Sequence, residues 1–498
     1  MIRKVFLSFL FLILLVGKLK SQEKIELLNA DSLLFDQGFG DMQRLKGNVF
    51  FKQKDVFMKS DSAWFYEGEN RLEAFGKIHI YQKDSFDLFG HYLQYDGNSR
   101  TARVENDVEL TDNDMVLYTQ SIEYDIPNKK AYYLTEGRIS DNENDLTSQT
   151  GTYYSRSKKF SFNENVVLTN PKYKMTSNKL DYFSNSKTAF FYGPTYIRSD
   201  ENTIFCNSGW YDTQNETSRF SKNVWIQTNE NKLQADSLVY DRKLGLGKAF
   251  RNVVLSDSLN QVFVYGHFAR YTRENKRTTI VQNPIALQIQ GRDTFFLTSD
   301  TFVDHTDSSG KRHIQAFPKV RFLNLNMQGK ADSLIYHLSD SVICLYYEPI
   351  LWNDSNQLSA DTLLINQGKG GINFIDLMKN GFVISKENSL VFNQIKGKNI
   401  RAKFSSNELK KVFVNEDGNS LYYVQEEDST YSGINKIACQ KMEILMDSAQ
   451  VQNILFLTKP KGTFYPVDQL SETKNKLEGF DWRTYLRPRK KEFRIPNN

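Results

Sequence analysis

Five aspartates recur at one place in a repeating sequence, each followed by Ser or Thr: Asp61, Asp236, Asp300, Asp332 and Asp361. Stacked carboxylates bind Ca²⁺, and a pair of them can serve as the acid and base of a carbohydrate-cleaving β-helix. A residue repeated once per unit, however, normally serves the unit. Here that means a strand-start or turn hydrogen bond, so structure is expected ahead of catalysis. The six histidines (His79, His91, His267, His305, His313, His337) form no HxxxH or HExxH pair, and Asp304-His305 is an isolated neighbour pair. Cys206, Cys344 and Cys439 are odd in number and more than 90 residues apart. That spacing argues against a disulfide framework or a zinc site and places each thiol in a packed strand. There is no Gly-x-Ser-x-Gly elbow, and the glycines do not cluster as a phosphate loop. No catalytic group, cofactor or metal site is expected.

What remains is apolar. Val49, Phe51, Ile78, Ile80, Val108, Leu110, Ile139, Val166 and Leu168 occupy equivalent places in successive units. If the units stack, these side chains form rows on one inner face. Such a face either closes on itself as a filled core or stays open as a greasy slot that could hold acyl chains by the hydrophobic effect alone. Both outcomes fit the sequence.

The elements that must position these rows are set by a ruler of tyrosines. Tyr95, Tyr124, Tyr153, Tyr182, Tyr211 and Tyr240 each follow the one before by 29 residues. A fixed period of this size signals a repeat architecture. The unit is clearest at Gln234-Ala235-Asp236-Ser237-Leu238-Val239-Tyr240-Asp241, followed by a small residue, Ala249, and then Asn252-Val253-Val254-Leu255. Apolar and polar residues alternate as in half-buried strands. Polar stretches such as Gly97-Asn98-Ser99-Arg100 and Pro127-Asn128-Lys129-Lys130 read as tight turns. A Gly or Asn ahead of Val or Ile recurs at Gly47, Gly76, Gly137, Asn165, Asn223, Asn252 and Gly381, where a bend or bulge is expected. Each strand would then fold into a V. After Tyr240 the period loosens, with Tyr271 and Phe302 at 31-residue steps. About 13 units of two strand layers, at ~4.8 Å per layer, would stack to roughly 125 Å. No useful helical period is present.

The ends are distinct. Residues 1–21 read as a secretory signal: Arg3 and Lys4, then the apolar run Val5 to Val16, too short to span a bilayer, with an uncleaved anchor as the alternative. The formal charge is +5, of which Arg3, Lys4, Lys18 and Lys20 carry four, leaving +1 without that segment. That is no nucleic-acid signature. The expected organisation is a regular array over 22–255, a divergent continuation over 256–465 and a basic tail over 466–498; from Arg483 to the end, Arg483, Arg487, Arg489, Lys490, Lys491 and Arg494 face one acid, Glu492. The tail holds Gly479-Phe480-Asp481-Trp482 and Leu486-Arg487-Pro488, which read as a docking or membrane-surface segment or as a solvated end.

The unit Ala-Asp-Ser-Leu-x-Tyr-Asp, then Ala, then Gly/Asn-x-Val, resembles the OstA-like (LptA-like) repeat of periplasmic lipopolysaccharide-transport proteins. The best stretch runs from Leu45 to Leu255, with weaker copies beyond. The resemblance implies an all-β, bent antiparallel β-jellyroll that extends edge to edge. It also implies a non-enzymatic carrier of lipopolysaccharide or another acylated lipid, periplasmic in a Gram-negative bacterium and possibly associated with the outer membrane. Its partners would be other jellyroll transport proteins, joined by edge-strand pairing, and membrane-associated transport machinery, with no nucleic acid. The chain is longer than a bridge protein of this kind, and its last residues, Ile495-Pro496-Asn497-Asn498, do not suggest the aromatic final strand of an outer-membrane barrel. A filled core would make the same fold an interaction scaffold, and a polysaccharide-acting β-solenoid enzyme is the more distant rival.

Overall fold

Alternation of apolar and polar residues becomes long antiparallel strands. In a computed structural model, Val56–Tyr66, Arg71–Gln82, Phe86–Asp96, Thr101–Asp112 and Met115–Asp125 pair in sequence order. The structure describes residues 23–495 apart from 36–41, 84, 113–114, 141–143, 230, 292, 369–370, 406–407, 428–429, 448–449 and 472–473. The expected signal segment lies outside the described residues. Among them, no helix is long and apolar enough to cross a membrane.

The turns between strands explain the Tyr-Asp pair. The aspartate caps the turn through its carboxylate: Asp96 Oδ1 accepts from Asn98 N (2.8 Å), Asp125 Oδ1 from Asn128 N (3.1 Å) and Asp241 Oδ1 from Leu244 N (2.9 Å). The turn closes on one left-handed residue, at Asn70, Arg100, Lys129, Lys158 and Lys187 in turn.

The bends are of a different kind. Halfway along each strand the register slips, between Lys46 and Val49, Phe75 and Ile78, Glu105 and Val108, Asn163 and Val166, and again between Ser221 and Val224 and between Phe250 and Val253. A left-handed pair fills each slip: Gly47/Asn48, Gly76/Lys77, Asn106/Asp107, Glu164/Asn165, Lys222/Asn223 and Arg251/Asn252. This is why Gly or Asn precedes Val or Ile, since those residues adopt positive φ most readily. Two of the expected bend residues act otherwise. At Gly381 the left-handed pair is Lys379/Asn380, just before it. Gly137 lies beyond a break between Lys130–Tyr133 and Gly137–Ser140, and its lack of a side chain accommodates the Tyr133 ring, which a Cβ would approach to 2.4 Å.

The chain divides into two compact units, Met1–Asn215 and Glu216–Asn498. The first is the regular array just described. In the second, the period loosens where strands break at the bend, although the broken strands between Lys130 and Tyr154 of the first unit keep the 29-residue step. Val262–Thr272 pairs with Arg277–Val281 on one side of the bend and with Ile285–Gln290 on the other, with left-handed Gln282/Asn283 between them. Long bent strands return at Gly371–Lys386, Phe392–Ser405, Glu408–Gln425 and Tyr431–Asp447. The residues past them are docked. Asn475 to Phe493 lie along one arm of this unit on a single register row, Gln394–Ile384–Gln357–Trp352–Gln328–Leu323–Phe296. The side chains of buried Gln394 and Gln357 each clamp this segment's backbone at both a carbonyl and an N–H, at 2.7–2.9 Å. Leu477, Phe480 and Trp482 pack with Phe382, Ile384 and Phe392 as a small second core. Val383, between Phe382 and Ile384, instead joins the main core, so the segment covers the opposite face of the arm.

Candidate functional site

One register row runs along the inner face of the first unit through Phe51, Met58, Ile80, Leu88, Leu110, Leu117, Ile139, Leu146, Leu168, Met175, Ile197 and Ile204, each paired with the next. The second unit has a matching row through Ile226, Leu233, Leu255, Val264, Ala286, Leu297 and Phe322. The repeat therefore aligns its apolar side chains as the sequence rows imply.

The rows are not uniform. From Phe51 to Leu117 every member is at most 1% exposed. Beyond Leu146, Leu168, Ile197 and Ile204 are partly exposed, with buried Met175 between them. Ile226, Leu233, Leu255, Val264 and Ala286 are partly exposed as well, before burial resumes at Leu297 and Phe322. The tyrosine ruler repeats the pattern: Tyr95, Tyr124 and Tyr153 are fully buried, whereas Tyr182, Tyr211 and Tyr240 are partly exposed. Of the nine row residues singled out by sequence, Val49, Phe51, Ile78, Ile80, Val108, Leu110, Ile139 and Val166 are shielded by the chain itself, and Leu168 is partly open.

The closed part has its arms tied together. The Tyr95 hydroxyl, at one arm tip, donates to Oε1 of Gln53 at the other. Gln53 Nε2 in turn donates to Glu23 O (2.7 Å) and Gly97 O (2.8 Å). Phe86 and Tyr124 close the next repeats with ring centroids 4.3 Å apart. Burial pushes the Tyr95 and Tyr133 hydroxyls up to about 12.

The repeated aspartates sit on the outside of the bends. Asp236 Oδ1 accepts from Asn252 Nδ2 (3.0 Å), Asp361 Oδ1 from Asn380 Nδ2 (3.1 Å) and Asp300 Oδ2 from Lys319 Nζ (2.9 Å). Asp61 lies against Gly76, and Asp31, not singled out from sequence, binds Asn48 Nδ2 at 2.9 Å. These carboxylates thus lie at the left-handed bend of the following strand, a structural role of the kind expected; Asp332 differs, its carboxylate accepting from Ser333 Oγ at 2.8 Å. Cys206, Cys344 and Cys439 are outside any disulfide, buried and on strands. Among the described residues no three His, Cys, Asp or Glu side chains are placed to hold a metal ion. Sequence spacing does hide a grouping of histidines: His305, His313 and His337 lie on adjacent strands in one register row.

The arrangement offers an apolar surface, shut in one stretch and open in another. Residues 22–178 match the family model described as OstA-like protein, and residues 197–371 match that of the LptA/(LptD N-terminal domain) LPS transport protein. No curated protein matches the chain. Among solved structures, it is similar to LptH, the LptA homologous periplasmic component of the lipopolysaccharide transport device from Pseudomonas aeruginosa. The two are 15% identical, the match covers 28% of this chain and 95% of that one, and the TM-score is 0.22. By the repeats that carry both family matches, this chain belongs to the OstA-like family of lipopolysaccharide-transport proteins.

Proposed function

We propose that the chain is a non-enzymatic periplasmic protein of lipopolysaccharide transport and outer-membrane biogenesis in a Gram-negative bacterium, and that it holds acyl chains against its opened inner rows. The observation that carries this reading is the partial exposure of Leu168, Ile197 and Ile204 in the first unit and of Ile226, Leu233, Leu255 and Val264 in the second. Aligned aliphatic side chains gain about 0.8 kcal/mol for each acyl CH₂ they remove from water, with no polar contact required. The family matches support the lipid class. The shielded rows from Phe51 to Leu117 favour a scaffold role for that stretch, with the acyl site beginning at Leu168.

Edge strands supply the partners in this reading. Glu26–Asn29 and Ser32–Phe35 pair on one side with Met42–Gln53, and Leu28, Leu33, Leu34 and Phe35 are exposed. In the other unit, Gln450–Leu457 exposes Val451, Leu455 and Leu457. Unpaired edges with apolar side chains fit addition of a strand from a similar jellyroll or from membrane-associated transport machinery.

The test is to purify residues 22–498 from the periplasm of a Gram-negative host carrying a photo-crosslinking residue at Ile226 or Leu255, or at Ile80 as the closed-row control. Acylated glucosamine lipid recovered by mass spectrometry, and crosslinked at Ile226 and Leu255 but not at Ile80, supports the reading. A folded, lipid-free protein with no adduct at any position overturns it.

A further inference from the structure

The outer face of one arm in the second unit carries three imidazoles in line. His305 pairs in register with His313, and His313 with His337, on the strands Thr301–Thr306, Arg312–Phe317 and Ser333–His337. Their neighbours Phe302, Ala316 and Leu334 belong to the main core, so alternation turns the histidines to the other face. The ring centroids of His305 and His313 are 5.5 Å apart, and those of His313 and His337 are 4.9 Å apart.

The polar atoms are arranged with unusual economy. Asp307 is fixed by a turn in which its Oδ1 accepts from Ser309 N, Ser309 Oγ and Lys311 N at 2.7–3.0 Å. Its free oxygen, Oδ2, lies 2.9 Å from His313 Nε2. A carboxylate so placed holds the proton on Nε2 and leaves the Nδ1 lone pair of His313 available. That Nδ1 faces His337 Nδ1 at 3.0 Å. Two nitrogens each about 2.0–2.1 Å from one ion, at an angle near 90°, lie about 3 Å apart. The pair therefore already stands at the separation of two adjacent ligands. His305 Nδ1 is buried and has no hydrogen-bond partner.

We propose that His313 and His337 bind a divalent transition-metal ion of the kind that favours imidazole, Cu²⁺ or Zn²⁺, with Asp307 as the carboxylate that orients His313. Three donors do not converge in this structure, so the protein supplies two ligands and water completes the shell; His305 stands one ring away. On binding, the proton between the two Nδ1 atoms moves to His337 Nε2, and both imidazoles remain neutral. The surrounding charges are Arg277, Asp304, Lys311, Arg312 and Asp340, among which Arg312 is bound to Asp304 (2.6 Å) and Lys311 approaches Asp340 (3.8 Å). Those two pairs are internally neutralised, so Arg277 beside His305 is the positive charge that remains to oppose the ion. The site does not depend on the lipid reading.

Titration of the mature full-length chain with CuCl₂ and ZnCl₂ by calorimetry, with the Cu²⁺ complex examined by electron paramagnetic resonance, tests the assignment. We expect one ion per chain at pH 7.5, nitrogen hyperfine structure, and Cu²⁺ bound more tightly than Zn²⁺. Binding should fall sharply by pH 5.5, as protons compete for the imidazoles. His313→Ala and His337→Ala should each abolish the site, Asp307→Asn should weaken it about 10- to 100-fold, and His79→Ala should leave it unchanged. Circular dichroism and thermal unfolding of each variant separate loss of the site from loss of the fold. Absence of binding to the folded wild-type chain, or binding that survives both His313→Ala and His337→Ala, overturns the proposal.

Discussion

Two stretches of the first unit, built on one register, differ in how closely equivalent rings approach. Phe86 and Tyr124, 38 residues apart in sequence, have ring centroids 4.3 Å apart; Tyr173 and Tyr211, three 29-residue periods further on and also separated by 38, stand at 6.5 Å. Side-chain volume beside the bend does not account for the difference: the closed stretch pairs Ala63 with Ala74 where the second unit pairs Ala249 with Ala269, and all four are buried. The same repeat thus makes a shielded row or a partly exposed one without a change of register.

The largest effect expected from this contrast is on stability. Phe51→Ala or Tyr124→Ala, at fully buried sites, should destabilise the first unit by about 3–5 kcal/mol, and Tyr240→Ala, at a partly exposed one, should cost its unit about 1 kcal/mol. Site-resolved hydrogen exchange in urea measures both; equal costs would break the comparison. Next is the groove itself. Leu233→Asp with Val264→Asp, on either side of Leu255 in the partly exposed row, should reduce acyl occupancy at Leu255 about tenfold, a change worth about 1.4 kcal/mol. Unchanged crosslinking at Leu255 would remove this row as the acyl site.

A pH effect sharpens the contrast further. The Tyr95 and Tyr133 hydroxyls ionise near 12 in the folded chain against about 10 when unfolded. With the folded value raised, stability is fully present below pH 10 and falls as pH rises from 10 to 12, because the unfolded chain loses these protons first. Tyr95→Phe should reduce that alkaline loss by about 2–3 kcal/mol, followed by chemical denaturation across the window. The bends should give smaller effects. Gly76 has φ +70°, and a Cβ there would lie 2.6 Å from Asp61 Oδ2, so Gly76→Ala should cost about 1–2 kcal/mol. Asn252→Gly, at φ 47°, should change thermal stability by only a few tenths of a kcal/mol. The smallest effect belongs to Asp236→Ala, at most about 0.5 kcal/mol, because its partners Asn252 and Arg251 are solvated.

The sequence by itself determined the repeat, the strands, the turns and most of the bends. These are local: a period-2 alternation, an Asx turn after Tyr-Asp and a residue able to take positive φ each act within a few positions, and the 29-residue spacing copies them. It also indicated the structural role of the repeated aspartates, because a residue that recurs in every unit answers to the unit. Tertiary structure alone decided which rows are shielded and which are partly exposed, because that depends on how arms tens of residues apart in sequence meet across the fold. It also decided that Asn475 to Phe493 dock on buried glutamines, and that His305, His313 and His337 share one row. Strand register brings such residues together, and no local pattern in the chain records that pairing.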